Sequence, residues 1–198
     1  MPDTQNTQTH QEGRDGLTRE ELHFRQINMR GWRRSDGLFE VEGRVTDRKP
    51  HEFKSPCGSR VVAPNEPIHD MVVKLVFDED MMVHEVSAFT EAAPYGDCFS
   101  AGPTLQSLKG LHISRGWSRE IQSRLGGAQS CTHLMEILLP MGTTAFQSLT
   151  MLRISRPTVV DVEGKPRKVD SCYAYAANRE IVLHQWPAFY TGPLAPSK

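Results

Sequence analysis

Apolar and polar residues alternate through the first half of the chain. Phe39, Val41 and Val45 are separated by charged residues, and this period of two predicts a half-buried strand over residues 39–46. Two further runs rich in β-forming residues, 71–77 and 82–89, flank a short acidic segment. Their spacing predicts a β-hairpin with the acidic segment at its tip.

After Cys98 the apolar spacing changes from two to about 3.6 residues, which is the period of a helix. The new spacing predicts helices over residues 103–109, 116–125 and 131–150. Ser130 is the expected N-cap of the third helix, and Pro140 is expected to kink or split it. We therefore predict the α+β class, with a mixed, mostly antiparallel sheet and three helices packed on one face.

The two ends of the chain are less regular. Residues 1–16 contain no branched aliphatic or aromatic residue, so we expect a disordered tail before a single domain over residues 17–198. Shorter patterns predict a helix or an edge strand within 17–34, a strand at 60–63, and a C-terminal meander with strands at 158–162, 172–176 and 180–184.

The charges almost cancel, with 23 Lys and Arg against 24 Asp and Glu. A chain whose net charge is only -1 has no general attraction for nucleic acid or an anionic membrane, so we expect neither as a partner. No apolar run approaches the length of a membrane span, and the N-terminus lacks the apolar core of a signal peptide. We expect a cytoplasmic protein, in which the four widely spaced cysteines are free thiols, buried residues or metal ligands.

The segment whose side chains are most suited to catalysis or metal binding lies at the start of the third predicted helix. It is Gln129-Ser130-Cys131-Thr132-His133. Backbone N–H groups at a helix N-terminus stabilise a thiolate, so Cys131 is a candidate nucleophile unless it is a small buried core residue. Within a regular helix, residues two apart point in different directions. Cys131 and His133 can therefore form a catalytic pair only if Cys131 precedes the helix.

A metal site is a less demanding interpretation, because its ligands can come from separate elements. Antiparallel geometry returns the chain to its starting level after a hairpin, so residues at the hairpin entry and exit are expected at one end of the sheet. Imidazole and thiolate ligands favour zinc or iron over magnesium or calcium. We predict a site formed by residues at the hairpin entry, after the hairpin and at the helix start: His69, Asp70, Cys98, Cys131 and His133.

Several short motifs together resemble a bacterial family known as domain of unknown function 2889. They lie within residues 23–190 and comprise RRSDGLFEVEG (33–43), PIHDM (67–71), APY (93–95), LGG (125–127), SCTHL (130–134) and TTAFQ (143–147). The resemblance supplies a family but no activity.

The order of hairpin, Cys98, helix and Cys131 also resembles NifU-type iron–sulfur cluster scaffolds, in which three cysteines in these places hold metal. The resemblance implies that His69-Asp70, Cys98 and Cys131 occupy the three ligand positions. His69 replaces the first cysteine, and the segment after Met151 has no counterpart in that scaffold.

Three hypotheses about function follow, and the residues leave open whether the protein is an enzyme. It is a metal-binding or iron–sulfur accessory protein, a non-catalytic domain that binds a small ligand or a protein, or a thiol-dependent enzyme with Cys131 as nucleophile and His69 as base. No role is assigned to Cys57 or Cys172.

Overall fold

The computed structural model describes residues 15–57 and 60–193, together with the backbone of residues 10–12. The chain divides into two compact units, Met1–Thr150 and Met151–Lys198. The single domain expected over 17–198 stays a prediction. Of the expected tail, residues 1–9 and 13–14 lie outside the described residues. No helix in the described part is both long and apolar enough to cross a membrane.

The first unit is built on a four-stranded antiparallel sheet with the strand order β3-β4-β7-β8. Two smaller sheets pair β1 with β2 and β5 with β6. The strands are β1 (His10–Glu12), β2 (Thr18–Glu20), β3 (Phe24–Arg33), β4 (Phe39–Arg48), β5 (Phe53–Lys54), β6 (Val61–Val62), β7 (Pro67–Phe77) and β8 (Val83–Ala92). The strand at 39–46 and the hairpin are therefore confirmed, and of the two alternatives left open for residues 17–34 the structure contains the edge strand, β3.

Helices follow the sheet in sequence, as predicted. Two consecutive 3₁₀ helices, Gly96–Ser100 and Gly102–Leu108, lead from β8 to α1 (Trp117–Leu125). A short 3₁₀ helix at Gly127–Gln129 precedes α2 (Thr132–Ser148). The α+β class and the mostly antiparallel sheet are confirmed.

Helix α2 packs directly on the sheet because small residues lie at the contact. A Cβ atom placed on Gly43 of β4 would collide with Ile137, and it would lie 3.1 Å from Met141 Cγ. Helix α1 packs against α2, and its Trp117 donates an indole N–H to the carbonyl oxygen of Leu138 at 2.9 Å. The face of β4 that carries Phe39, Val41 and Val45 is thus the face that α2 covers.

Of two local predictions about α2, the N-cap was wrong. The helix continues through Pro140, so it is not split there, and a kink at this residue stays a prediction. Its N-cap is Cys131, which has extended backbone angles and whose carbonyl accepts a hydrogen bond from Met135 N at 3.0 Å. The Ser130 hydroxyl instead lies 2.6 Å from Thr104 Oγ1, so it is engaged outside the helix.

The C-terminal unit is helical where the sequence predicted strands. It contains 3₁₀ helices at Tyr173–Tyr175 and Pro187–Phe189 and the helix α4 (Glu180–Gln185), and α3 (Thr150–Ile154) leads into it. Between residues 158 and 166 only Val160 forms an isolated bridge, with Pro166. A short apolar run such as 181–183 has no period that separates strand from helix, and the i,i+4 pair of Glu180 and His184 supports the helix.

Candidate metal centre

A single carboxylate, Asp47, lies at the centre of the candidate site. It lies on the same face of β4 as Phe39, Val41 and Val45, and its side chain is only 1% exposed. Arg25 of β3 and His69 of β7 are its direct partners in the two neighbouring strands. The sheet register therefore places a cation, a carboxylate and an imidazole in one row beneath the first turn of α2.

Arg25 holds the carboxylate from one side and links it to the helix. Its Nε donates to Asp47 Oδ1 at 2.7 Å and its Nη2 to Oδ2 at 2.9 Å. Its remaining Nη1 donates to Glu136 of α2 at 2.8 Å. Because Glu136 follows His133 by about one helical turn, this bridge fixes the part of α2 that carries His133.

The environment keeps Asp47 ionised. Burial alone raises the pKa of a carboxyl group, but the hydrogen bonds and the charge of Arg25 outweigh burial here. The pKa of Asp47 is therefore lowered overall, with Arg25 as the main cause. His23 lies on the Oδ1 side, with its Nε2 at 3.2 Å.

His69 presents an unsatisfied nitrogen to the carboxylate. Its Nδ1 lies 3.1 Å from Asp47 Oδ2, but the direction does not suit a hydrogen bond, and this buried atom has no hydrogen-bond partner among the described residues. Burial and the neighbouring His133 lower the pKa of His69 to about 4, although Asp47 opposes the shift. The ring is therefore neutral at pH 7, which is the form that binds metal.

His133 approaches the same carboxylate oxygen from the helix. Its ring stacks on His69 with the centroids 3.8 Å apart, and its Nε2 lies 3.7 Å from Asp47 Oδ2. Its other nitrogen, Nδ1, lies 3.9 Å from Cys131 Sγ. His133 thus has one nitrogen on the carboxylate side and one on the thiol side.

The spacing of the donor atoms suits a metal ion. One ligand atom from each of Asp47, His69 and His133 lies within 4.8 Å of the other two. Two ligands bound to zinc at about 2.1 Å with tetrahedral angles are separated by about 3.4 Å. The two imidazole-to-carboxylate distances, 3.1 and 3.7 Å, lie on either side of this value.

The residues predicted from the sequence are placed as follows. His69 and His133 meet at Asp47. Asp70 points to the other face of the sheet, where Arg44 donates two hydrogen bonds of 2.6 Å to it. Cys131 Sγ lies near the far nitrogen of His133 and forms no hydrogen bond with Asp47 among the described residues, and Cys98 lies in the 3₁₀ helix after β8.

Within the described part of the chain, the cysteines contribute to no group of three ligand atoms. The arrangement implied by the resemblance to NifU-type scaffolds therefore stays a prediction. The surroundings of Cys131 act on its pKa in opposite directions. Its burial raises the thiol pKa, but the contact with His133 and the backbone N–H groups of His133 and Leu134 outweigh burial and lower it.

Sequence reasoning missed Asp47, Arg25 and Glu136. A signal for Asp47 was present, since it has the same parity as Phe39, Val41 and Val45 and therefore extends the buried face by one polar position. The predicted strand stopped at residue 46, one residue too early. Arg25 and Glu136 become recognisable only when the strand register and the position of α2 are known.

The model of the family "Protein of unknown function (DUF2889)" matches residues 23–147. This range contains every residue of the candidate site, from Arg25 to Glu136. No curated protein matched the chain, and no solved structure did.

Proposed function

Because the chain belongs to the DUF2889 family, whose description gives no function, we propose from the site itself that it is a metal-binding protein holding one zinc or iron(II) ion at Asp47, His69 and His133. The observation that carries the proposal is the convergence of an ionised carboxylate and two imidazoles from three separate elements. Two imidazoles and one carboxylate are donors that zinc and non-haem iron(II) favour.

The unsatisfied Nδ1 of His69 supports this assignment. A buried polar atom without a hydrogen-bond partner costs about 1–3 kcal/mol of folding free energy. An atom of this kind in a native protein therefore calls for an explanation such as a catalytic role or a bound ion. A metal ion between this nitrogen and Asp47 Oδ2 would satisfy the nitrogen and replace a repulsive or poorly directed contact. The neutral ring of His69 needs no deprotonation before it binds.

Arg25 is the feature that opposes a cation, and its effect is reduced by its partners. Its positive charge is paired with Glu136 as well as with Asp47. One arginine and two carboxylates leave a net negative charge beside the two imidazoles. Each carboxylate oxygen also has more than one acceptor direction, so Asp47 can bind an ion and Arg25 together.

Three protein ligands leave coordination positions open. Open positions are typical of metal sites that exchange ligands or activate water, whereas structural zinc sites are closed by four protein ligands. The side chains of His69 and His133 are 15% and 24% exposed, which gives a small molecule a route to the ion. We therefore favour a metal-dependent or metal-handling role in the cytoplasm over a purely structural ion.

The test is direct metal binding by protein purified without a histidine tag. Metal-free protein should take up one zinc or cobalt(II) ion, and cobalt should give the visible absorption of a low-symmetry site. His69→Ala, His133→Ala and Asp47→Asn should each lower the affinity by at least about 100-fold, since even outer partners of metal ligands contribute about 10- to 100-fold.

His84→Ala is the matched control. His84 is also a strand histidine paired with an aspartate, Asp78 at 2.7 Å, but it lies outside the cluster. Its replacement should leave affinity unchanged. Equal losses in His84→Ala and His69→Ala, or no uptake by the unmodified protein, would refute the proposal.

A thiol-dependent enzyme is the second candidate, and the position of Cys131 favours it. Cys131 precedes α2, which is the condition for a catalytic pair with His133. Its Sγ lies 3.9 Å from His133 Nδ1, and His133 Nε2 lies 3.7 Å from Asp47 Oδ2. The imidazole beside the thiol is His133 rather than His69. Rapid labelling of Cys131 by iodoacetamide in metal-free protein, with no metal uptake, would favour this candidate over the first.

A further inference from the structure

A cavity of about 240 Å³ lies beside the edge strand β8. Three of its lining residues form one row across the paired strands, in which Val76 stands between Glu40 and Glu85. Glu40 has the opposite parity to Phe39 and Val41, so this row lies on the face of the sheet that α2 does not cover. Clefts that hold drug-sized ligands measure roughly 300–1,000 Å³, so this cavity suits a smaller molecule.

Most of the charged side chains around the cavity are already paired. Arg34 binds Asp36 at 2.7 Å and also lies 3.6 Å from Glu40. Lys74 lies 3.2 Å from Glu42 of the neighbouring strand. Because each of these cations has an acidic partner, they give the cavity no preference for a ligand of one sign.

Two lining charges of opposite sign, Glu85 and Lys109, form no ion pair within the described part of the chain. The charge of Arg34 acts on Glu85, but that guanidinium is shared with its own two partners. Lys109 follows the 3₁₀ helix Gly102–Leu108, and Gln106 holds this helix against β8 by donating its amide N–H to a strand carbonyl at 2.6 Å. The cavity therefore offers one carboxylate and one ammonium group from two elements that are joined to each other.

We propose that this cavity binds a free α-amino acid, with the ammonium group of the ligand at Glu85 and its carboxylate at Lys109. A simple anion would be repelled by Glu85 and a simple cation by Lys109, whereas a zwitterion is attracted by both. The hydroxyl of Ser87, which also lines the cavity, can donate to the carboxylate or accept from the ammonium group. Val76 offers an apolar contact to the carbon atoms of the ligand. This inference does not depend on the metal proposal.

The experiment screens the proteinogenic L-amino acids against the full chain by saturation-transfer NMR and measures the affinity of each hit by calorimetry. At least one amino acid should bind. Its N-acetyl derivative and its amide should each bind at least about 10-fold more weakly, because each lacks one of the two charges. Absence of binding by every amino acid would overturn the proposal, and so would an undiminished affinity of either derivative.

Glu85→Gln and Lys109→Gln should each weaken the binding of the hit by at least about 10-fold. Both residues are exposed, so the variants should fold, and circular dichroism checks this. Glu91→Gln is the matched control, because Glu91 is an exposed glutamate of the same strand that does not line the cavity. Its affinity should equal that of the unmodified protein. An unchanged affinity in either cavity variant would place the amino acid elsewhere and overturn the proposal.

Discussion

At the scale of single residues, the site depends on an ionised carboxylate kept beside a neutral imidazole. Asp47 is almost completely buried, and Arg25 satisfies both of its oxygens while still contacting Glu136. The Nδ1 atom of His69 has no hydrogen-bond partner within the described part of the chain, and burial lowers the pKa of the ring to about 4. The two residues therefore respond to acid in different pH ranges, which allows their contributions to stability to be separated.

We expect His69 to make the protein less stable as the pH falls from 7 to 5. Its pKa is about 4 in the folded state against an ordinary value of 6.5, so the unfolded chain takes up a proton in this range and the folded protein does not. The free energy of unfolding should fall by about 2 kcal/mol from this residue alone. Urea unfolding of metal-free protein at the two pH values measures the change.

His69→Gln should remove most of that pH dependence. Asp47 does not interfere, because its pKa is lowered from 3.8 and its contribution is lost only at more acidic pH. If the variant and the unmodified protein lost the same free energy between pH 7 and pH 5, the neutral state of His69 would not be responsible.

At the scale of elements, the contact between α2 and β4 sets the position of His133 over the strands. Sequence periodicity predicted both elements, because each has one apolar face of the right period. The strand predictions for the C-terminal segments were wrong because apolar runs such as 181–183 are too short to show a period that separates strand from helix. Gly43 lets the helix approach the sheet, because any larger side chain at this position would meet Ile137.

Gly43→Ala should destabilise the protein and disturb the site. The added Cβ would overlap Ile137 and lie 2.9 Å from Met29 Sδ, so the helix must move away from the sheet. Overpacking of this kind costs about 1–3 kcal/mol. Chemical denaturation measures the cost, and cobalt binding measures the displacement of His133.

Gly96→Ala is the control for this substitution. Its added Cβ has no neighbouring atom within 4 Å, and the residue does not have a positive φ angle. Its stability should stay close to that of the unmodified protein. A similar loss in both variants would show that close helix packing is not the cause.

At the scale of the whole molecule, the candidate centre joins elements that are distant in sequence. The sequence predicted His69 and His133 as ligands through their positions at a strand entry and a helix start, and the structure brings both side chains to Asp47. It could not bring in Arg25, Asp47 and Glu136, because their meeting depends on the register of three strands and on the direction in which α2 crosses them. The local pattern of apolar residues predicts single strands and helices. The row formed by Arg25, Asp47 and His69 depends on how those strands pair.

Metal binding should therefore stabilise the entire fold. An ion that binds only the folded protein adds about 2.7 kcal/mol when its free concentration is 100 times the dissociation constant. Zinc should raise the melting temperature of metal-free protein, and EDTA should reverse the increase. In His133→Ala the shift should be absent; a shift of the same size would place the ion elsewhere.

The position of His133 in sequence also has a consequence for protein synthesis. Asp47 and His69 are made early and can pair within the sheet, but the third donor lies at the start of a helix much further along the chain. A growing chain cannot offer the complete set of ligands until that helix has left the ribosome and packed on the sheet. Metal loading would then follow folding in time, and a chain interrupted before residue 133 would offer only two of the three proposed ligands and bind an ion weakly.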